Sequence, residues 1–215
     1  SSERSFMKIY LIRHARQASR LCNVNVSLDP LGLWQSSLLG KRLSGAGIQI
    51  VYSSDLIRAA ETAKEANVWW KAAYEVRPEL REISFGEMEG LSDEEIEKRY
   101  GKLKEEQRRM EKDIPYPGGE CAGDVIKRVL PFFDELKHSG YETVAVVTHG
   151  GVIRSMAAWV LGMDPAKYRL LGKDLENCSI TELIYDRKYD RFRLERFNDH
   201  AHLEPFPELL RENWK

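Results

Sequence analysis

The chain is short of several things, and each shortage removes a class of function. Among 215 residues there are three cysteines, Cys22, Cys121 and Cys178, scattered and odd in number. No CxxC pair exists, which argues against a disulfide framework or a zinc site and for reduced thiols, as in the cytoplasm. No apolar run approaches the length of a transmembrane helix, and no signal-peptide pattern opens the chain. Charge is balanced at a formal net -1, which argues against a nucleic-acid partner and against a polybasic membrane anchor. No Pro/Gly/Ser-rich linker, internal repeat or low-complexity segment divides the sequence. One α/β domain over residues 1–215 is the expectation, with residues 1–6 as a loose tail and Met7 as a natural start. What is present is a 42% hydrophobic content, enough for a sizeable core.

Strand and helix signals alternate. Lys8 to Ile12 reads as a first strand. Asp29-Pro30 opens a helix, with Asp as N-cap and Pro at its first position, and Gly45-Ala46-Gly47 ends it. Ile48 to Tyr52 is a second strand, followed by a helix capped by Ser53-Ser54-Asp55 and running to about Ala66. Residues 91–120 differ: a Glu/Lys/Arg-rich helical stretch, then the rigid turn Pro115-Tyr116-Pro117-Gly118-Gly119. They read as a helical insertion covering the site. A further helix runs along Val125, Val129, Phe133 and Leu136, with a kink expected at Pro131. Thr143 to Val147 has the continuous apolar character of a buried parallel strand, and a helix follows Gly150-Gly151. Ser179 to Tyr185 and Arg191 to Phe197 read as an antiparallel pair. The fold class is therefore three-layer α/β/α with a mostly parallel sheet and one antiparallel edge strand.

Three strand-to-helix junctions carry chemistry-bearing residues: Arg13-His14, Arg58 after Ser53-Ser54-Asp55, and His149-Gly150-Gly151. A parallel sheet brings them to one edge, where open α/β sheets bind ligands. Two arginines and two histidines beside helix N-termini make a phosphate site by composition. Each residue has a plainer reading. His14 alone could be a satisfied core histidine, and Arg58 could pair with Glu61 on a helix surface for about 0.3–0.5 kcal/mol. Glu82 does not stand out from Glu79, Glu87 and Glu89. His200 and His202 lack a third metal ligand of suitable spacing.

The ordered motifs decide between these readings. Arg13-His14-Ala15 resembles the RHG signature of the histidine phosphatase superfamily, the phosphoglycerate mutase-like enzymes. The resemblance continues through Leu28 to Gln35, Tyr52 to Ala63, Leu80 to Gly90, Pro117 to Glu120, Val147 to Gly151 and Asn177 to Thr181. It implies that His14 is the nucleophile, forming a transient phosphohistidine. Arg13, Arg58 and His149 would hold the phosphoryl oxygens, and Glu82 would serve the leaving group and then water. Gln17, Asn23 and Gly150 join them as phosphate-binding residues. No metal and no cofactor is expected.

The sequence departs from the pattern beside the histidine. Ala15 replaces a glycine and fits only with negative φ. Arg16 adds a charge at the mouth. The usual phosphate-loop asparagine has no clear counterpart, since Arg20 holds the nominal position with Asn23 and Asn25 nearby. Cys121 replaces a serine and should cap poorly. Phe85 to Gly90 is similar to the phosphatase branch. The expected function is therefore a metal-independent phosphomonoesterase acting on a small phosphorylated metabolite, α-ribazole-phosphate-like or of broad specificity. The alternatives are mutase-type phosphoryl transfer and a non-catalytic phosphate-binding module. The partner expected is that metabolite, with a homodimer as an option.

Overall fold

The computed structural model describes residues 5–214. Six strands form one sheet: β1 (Phe6–Arg13), β2 (Ile50–Ser53), β3 (Ala73–Val76), β4 (Thr143–Thr148), β5 (Ile180–Asp186) and β6 (Arg191–Asp199). Their order is β3-β2-β4-β1-β5-β6. The first four in that order are parallel, β5 is antiparallel to β1, and β6 is antiparallel to β5. The helices are α1 (Pro30–Arg42), α2 (Ile57–Trp70), α3 (Asp93–Arg108), α4 (Ala122–Lys137) and α5 (Gly150–Val160).

Side chains alternate across a strand, so each buried strand feeds two cores. Met7, Ile9 and Leu11 of β1 and Val144 and Val146 of β4 pack with residues of α4 and α5, Phe133 and Met156 among them. Tyr10, Ile12, Ala145 and Val147 pack on the other face with Leu39 of α1 and Ala59, Ala63 and Ala66 of α2. That two-sided burial is why these strands read as unbroken apolar runs. The three-layer architecture follows from it.

Several boundaries differ from the sequence expectation. β1 begins at Phe6, which pairs with Asp186, so Phe6 belongs to the sheet and not to a tail. Residues 1–4 of that tail lie outside the described residues. The antiparallel strand β5 is internal, and β6 forms the edge. Edge strand β3 is mostly exposed and carries no hydrophobic signal of its own. α1 ends at Arg42, before the glycines. Ser53-Ser54-Asp55 does not cap α2, which starts at Ile57, where Asn25 Oδ1 accepts from the Ile57 N–H at 2.9 Å, and runs on to Trp70. α4 continues through Pro131 to Lys137. Its N-terminus is served by Asp124, whose carboxylate accepts from the Cys121 N–H at 3.0 Å, which relieves the weak cap.

The sheet's register builds the site. Arg13 lies opposite Thr148, and Ser53 opposite Val147. Beyond the strand ends, His14 N–H donates to the Thr148 carbonyl at 3.0 Å, and Ser54 N–H to the Val147 carbonyl at 3.2 Å. His14, Ser54 and His149 thus leave three neighbouring strands side by side. The loop after His14 is clamped by α1: Asp29 N–H donates to the Arg16 carbonyl, and Gly32 packs against that same carbonyl. A Cβ on Gly32 would overlap the Arg16 oxygen, whereas Gly45 faces open space. Gly32→Ala should therefore cost about 1–3 kcal/mol, as overpacking does. Denaturant melts should show that loss for Gly32→Ala and less than a third of it for Gly45→Ala.

Candidate active site

A cavity of about 890 Å³ opens at the carboxyl ends of β1, β2 and β4. Arg13, His14, Gln17, Asn23, Arg58 and Glu82 all line it. His14 is buried at its floor. Its Nδ1 lies 2.7 Å from the Ala15 carbonyl, an acceptor only, so Nδ1 carries the proton. Nε2 then keeps its lone pair, and the Arg58 Nε–H donates to it at 3.3 Å. Burial, with Arg58 and Arg13 adding to it, holds the His14 pKa well below the ordinary imidazole value. The ring is neutral near pH 7, the form a nucleophile needs.

The two arginines are paired with no carboxylate among the described residues. Arg13 donates to the Leu175 carbonyl, and its Nε is buried without a partner. Burial pushes its pKa down to about 10, which leaves it charged at neutral pH. Arg58 donates to the Val24 carbonyl at 3.2 Å and to Asn23 Oδ1 at 2.5 Å. It does not pair with Glu61, whose carboxylate accepts from the Leu28 N–H instead. Two buried guanidiniums with only neutral partners are costly unless an anion completes them.

The remaining residues divide. His149 is fully buried and its ring lies 5.1 Å from that of His14, centroid to centroid, beneath the cavity and not on its wall. Its Nε2 meets Ser54 Oγ at 2.7 Å, while Nδ1 has no partner. Burial and the neighbouring His14 ring hold its pKa far below the usual value. Gly150 likewise does not line the cavity; it opens α5 with the Arg13 side chain packed beside it. Gln17 lines the cavity, but its amide donates to the Ser19 carbonyl at 3.0 Å. Asn23 braces Arg58 and donates to Glu89 at 3.0 Å. Asn25 caps α2 and stays out of the cavity.

Glu82 is held by its surroundings. Its Oε1 accepts from the Ile83 N–H at 2.7 Å and from the Gly151 N–H at 3.0 Å, which ties it to the start of α5. The segment behind it is gripped by Arg128, which donates to the carbonyls of Glu79, Arg81 and Glu82 and to the Glu120 carboxylate. Sequence reasoning missed Arg128, because a helix arginine carries no motif. It also assigned no role to Asn177, whose amide donates to the His14 carbonyl at 2.8 Å, or to Thr62, whose hydroxyl accepts from Ala15 N–H at 2.9 Å. Ala15 is buried and keeps negative φ, as its methyl group requires. Arg16 lines the mouth, paired with Asp29 at 3.0 Å. Missed too were Lys104, Tyr116, Arg211 and Trp214, all in the cavity wall.

The sequence profile described as histidine phosphatase superfamily (branch 1) matches residues 9–200. Phosphoserine phosphatase 1 of Hydrogenobacter thermophilus is 29% identical over 186 residues, 82% of this chain and 87% of the relative. Phosphoglycerate mutase-like protein 4 of Arabidopsis thaliana is 31% identical over 221 residues, 95% of this chain and 90% of the relative. The structure of a mycobacterial glucosyl-3-phosphoglycerate phosphatase superposes with a TM-score of 0.81 at 26% identity, over 91% of this chain and all (100%) of that one.

The buried imidazoles couple stability to pH. His14 and His149 sit well below the ordinary value of 6.5, and burial, helped by Arg42, pushes His202 down to about 4. The unfolded chain binds these protons below about pH 6.5, and the folded chain refuses them. Stability is therefore full above that pH and falls as pH drops, through the window from 6.5 to about 4 for His202. Melting temperatures should decline steadily from pH 7 to pH 4.5; a flat profile would show that these rings protonate freely in the folded state.

Proposed function

The chain belongs to the histidine phosphatase superfamily, and from that membership we propose a metal-independent phosphomonoesterase acting on a small phosphorylated metabolite. One observation carries the reading: a neutral imidazole, its Nε2 lone pair met by the Arg58 Nε–H, lies beside two buried guanidiniums that lack a carboxylate. A phosphoryl group supplies what that arrangement is missing, since its outer oxygens match the guanidinium fork.

In the proposed reaction His14 Nε2 attacks phosphorus as the bond to the leaving oxygen breaks. Glu82 gives that oxygen its proton, and the substrate leaves as an alcohol. Water then attacks the phosphohistidine, Glu82 takes the water's proton, and inorganic phosphate departs with His14 restored. Arg13, Arg58 and the buried His149 stabilise charge in both steps. Such donors are commonly worth about 10²–10³ in rate each. The Ser54 hydroxyl can donate to His149 Nε2, which leaves the unpartnered Nδ1 protonated beneath the site. A cytoplasmic setting suits the three free thiols.

Hydrolysis is preferred to mutase transfer because solved structures that resemble this chain at 26–27% identity are titled hydrolases and a phosphatase. His14→Ala should cut hydrolysis of an artificial phosphomonoester by roughly 10³-fold or more while the circular dichroism spectrum is unchanged. Activity should survive a strong chelator. Near-wild-type turnover in the variant, or loss to chelator that a divalent ion restores, would contradict the mechanism. A metabolite screen for phosphate release, run beside a phosphoglycerate isomerisation assay, separates phosphatase from mutase.

A further inference from the structure

The cavity holds more positive charge than one phosphoryl group uses. Arg211, on the short turn Arg211–Asn213, and Lys104, on α3, both line it. Neither is paired with a carboxylate among the described residues, although Arg16, also in that wall, is taken by Asp29. The acids of the wall are placed otherwise: Asp29 serves Arg16 and the Gly32 N–H, Glu82 serves backbone N–H groups, and Asp93 stands in the first turn of α3. The guanidinium of Arg211 is presented by a braced segment. Its backbone N–H donates to Glu176 Oε2 at 3.0 Å, Leu209 is fully buried, and the Leu209 carbonyl accepts from Gln35 at 2.9 Å.

The side chain is braced as well. Trp214 stacks under Arg211 at 5.0 Å and under Arg16 at 4.3 Å, so its indole orients both. The Trp214 Nε1 is buried without a partner, a donor left over on the same wall. Arg211 is also close enough to the floor that its charge helps lower the pKa of both Arg13 and His14. Phe85, Met88, Ile96 and Tyr116 also line the cavity and offer apolar contact to a short substrate body. About 890 Å³ is room for such a body beyond one phosphoryl group.

We propose that Arg211 and Lys104 form a second anion subsite, so that the substrate is a small phosphomonoester carrying a second acidic group. This rests on the phosphatase reading for the floor of the cavity. Arg13 and Arg58 take the phosphoryl group there. Arg211 and Lys104, from elements outside the sheet, take a carboxylate or second phosphate at the other end. Arg211 is then a specificity-determining residue with no part in the bond-making step.

The test compares 3-phosphoglycerate with glycerol 3-phosphate, which differ by a carboxylate against a hydroxymethyl group, and uses inorganic phosphate as the floor probe. Calorimetric binding to the His14→Ala protein avoids turnover. Binding of 3-phosphoglycerate should be about ten- to a hundred-fold tighter than glycerol 3-phosphate, the usual worth of a charged hydrogen bond. Adding Arg211→Ala should remove most of that ratio and leave inorganic phosphate affinity within about threefold; Arg211→Lys should retain part of it. Lys104→Ala, at a half-buried position of α3, should reduce the ratio by a smaller factor and serves if Arg211→Ala fails to fold. Equal binding of the two esters, or a loss shared equally by all three ligands on Arg211→Ala, would overturn the subsite. Failure of the parent protein to bind inorganic phosphate would instead strike the phosphatase reading itself.

Discussion

Everything at this site depends on two guanidiniums buried against neutral partners. A buried charge needs compensation, and proteins usually provide it with a carboxylate. Arg13 has a carbonyl and Arg58 has a carbonyl, an amide oxygen and an imidazole nitrogen. Burial, reinforced by the positive field that results, is what keeps His14 unprotonated. One arrangement therefore does two things: it keeps the His14 ring neutral and leaves a place where an anion can settle.

Such an arrangement is unstable unless the backbone imposes it. Parallel register between β1, β4 and β2 fixes where His14, Ser54 and His149 leave the sheet. The loop beyond His14 is then held on all sides, by Thr62 at Ala15, by Gln35 and Gly32 at Arg16, and by Asn177 at the His14 carbonyl. Arg128 performs a similar task for Glu82, gathering three backbone carbonyls of residues 79–82 and the Glu120 carboxylate into one cluster. Apart from Asn177, which also lines the cavity, these supporting groups lie outside its wall. Their work is positional, and it explains why the site draws on residues from nearly every part of the chain.

The sheet and the floor of the cavity were readable in the sequence because local rules and the ordered motifs agree there. Continuous apolar runs mark β1 and β4, Asp29-Pro30 marks the start of α1, and the residues after the strands carry the arginines and histidines. What escaped was nonlocal. β3 has four mostly exposed residues and takes its strand conformation from pairing with β2. The start of α2 is capped by Asn25, 32 residues before it in sequence. The positions of His149 and Gly150 beneath the cavity surface, and the return of Arg211 and Trp214 to its mouth, depend on tertiary packing that no spacing rule encodes. Glu82 was distinguishable from its neighbours only by motif; its tie to Gly151 shows why that glutamate and no other meets the start of α5.

The central claim is that the neutral His14 Nε2 becomes covalently phosphorylated. Rapid acid-free quenching of the protein with a ³²P-labelled phosphomonoester, followed by peptide mapping, tests it directly. The account predicts transient label on His14 that survives alkali and is lost in acid, with none on the His14→Ala protein. Label on a serine or a carboxylate, or phosphate release at full rate with no labelled protein at any time, would contradict it.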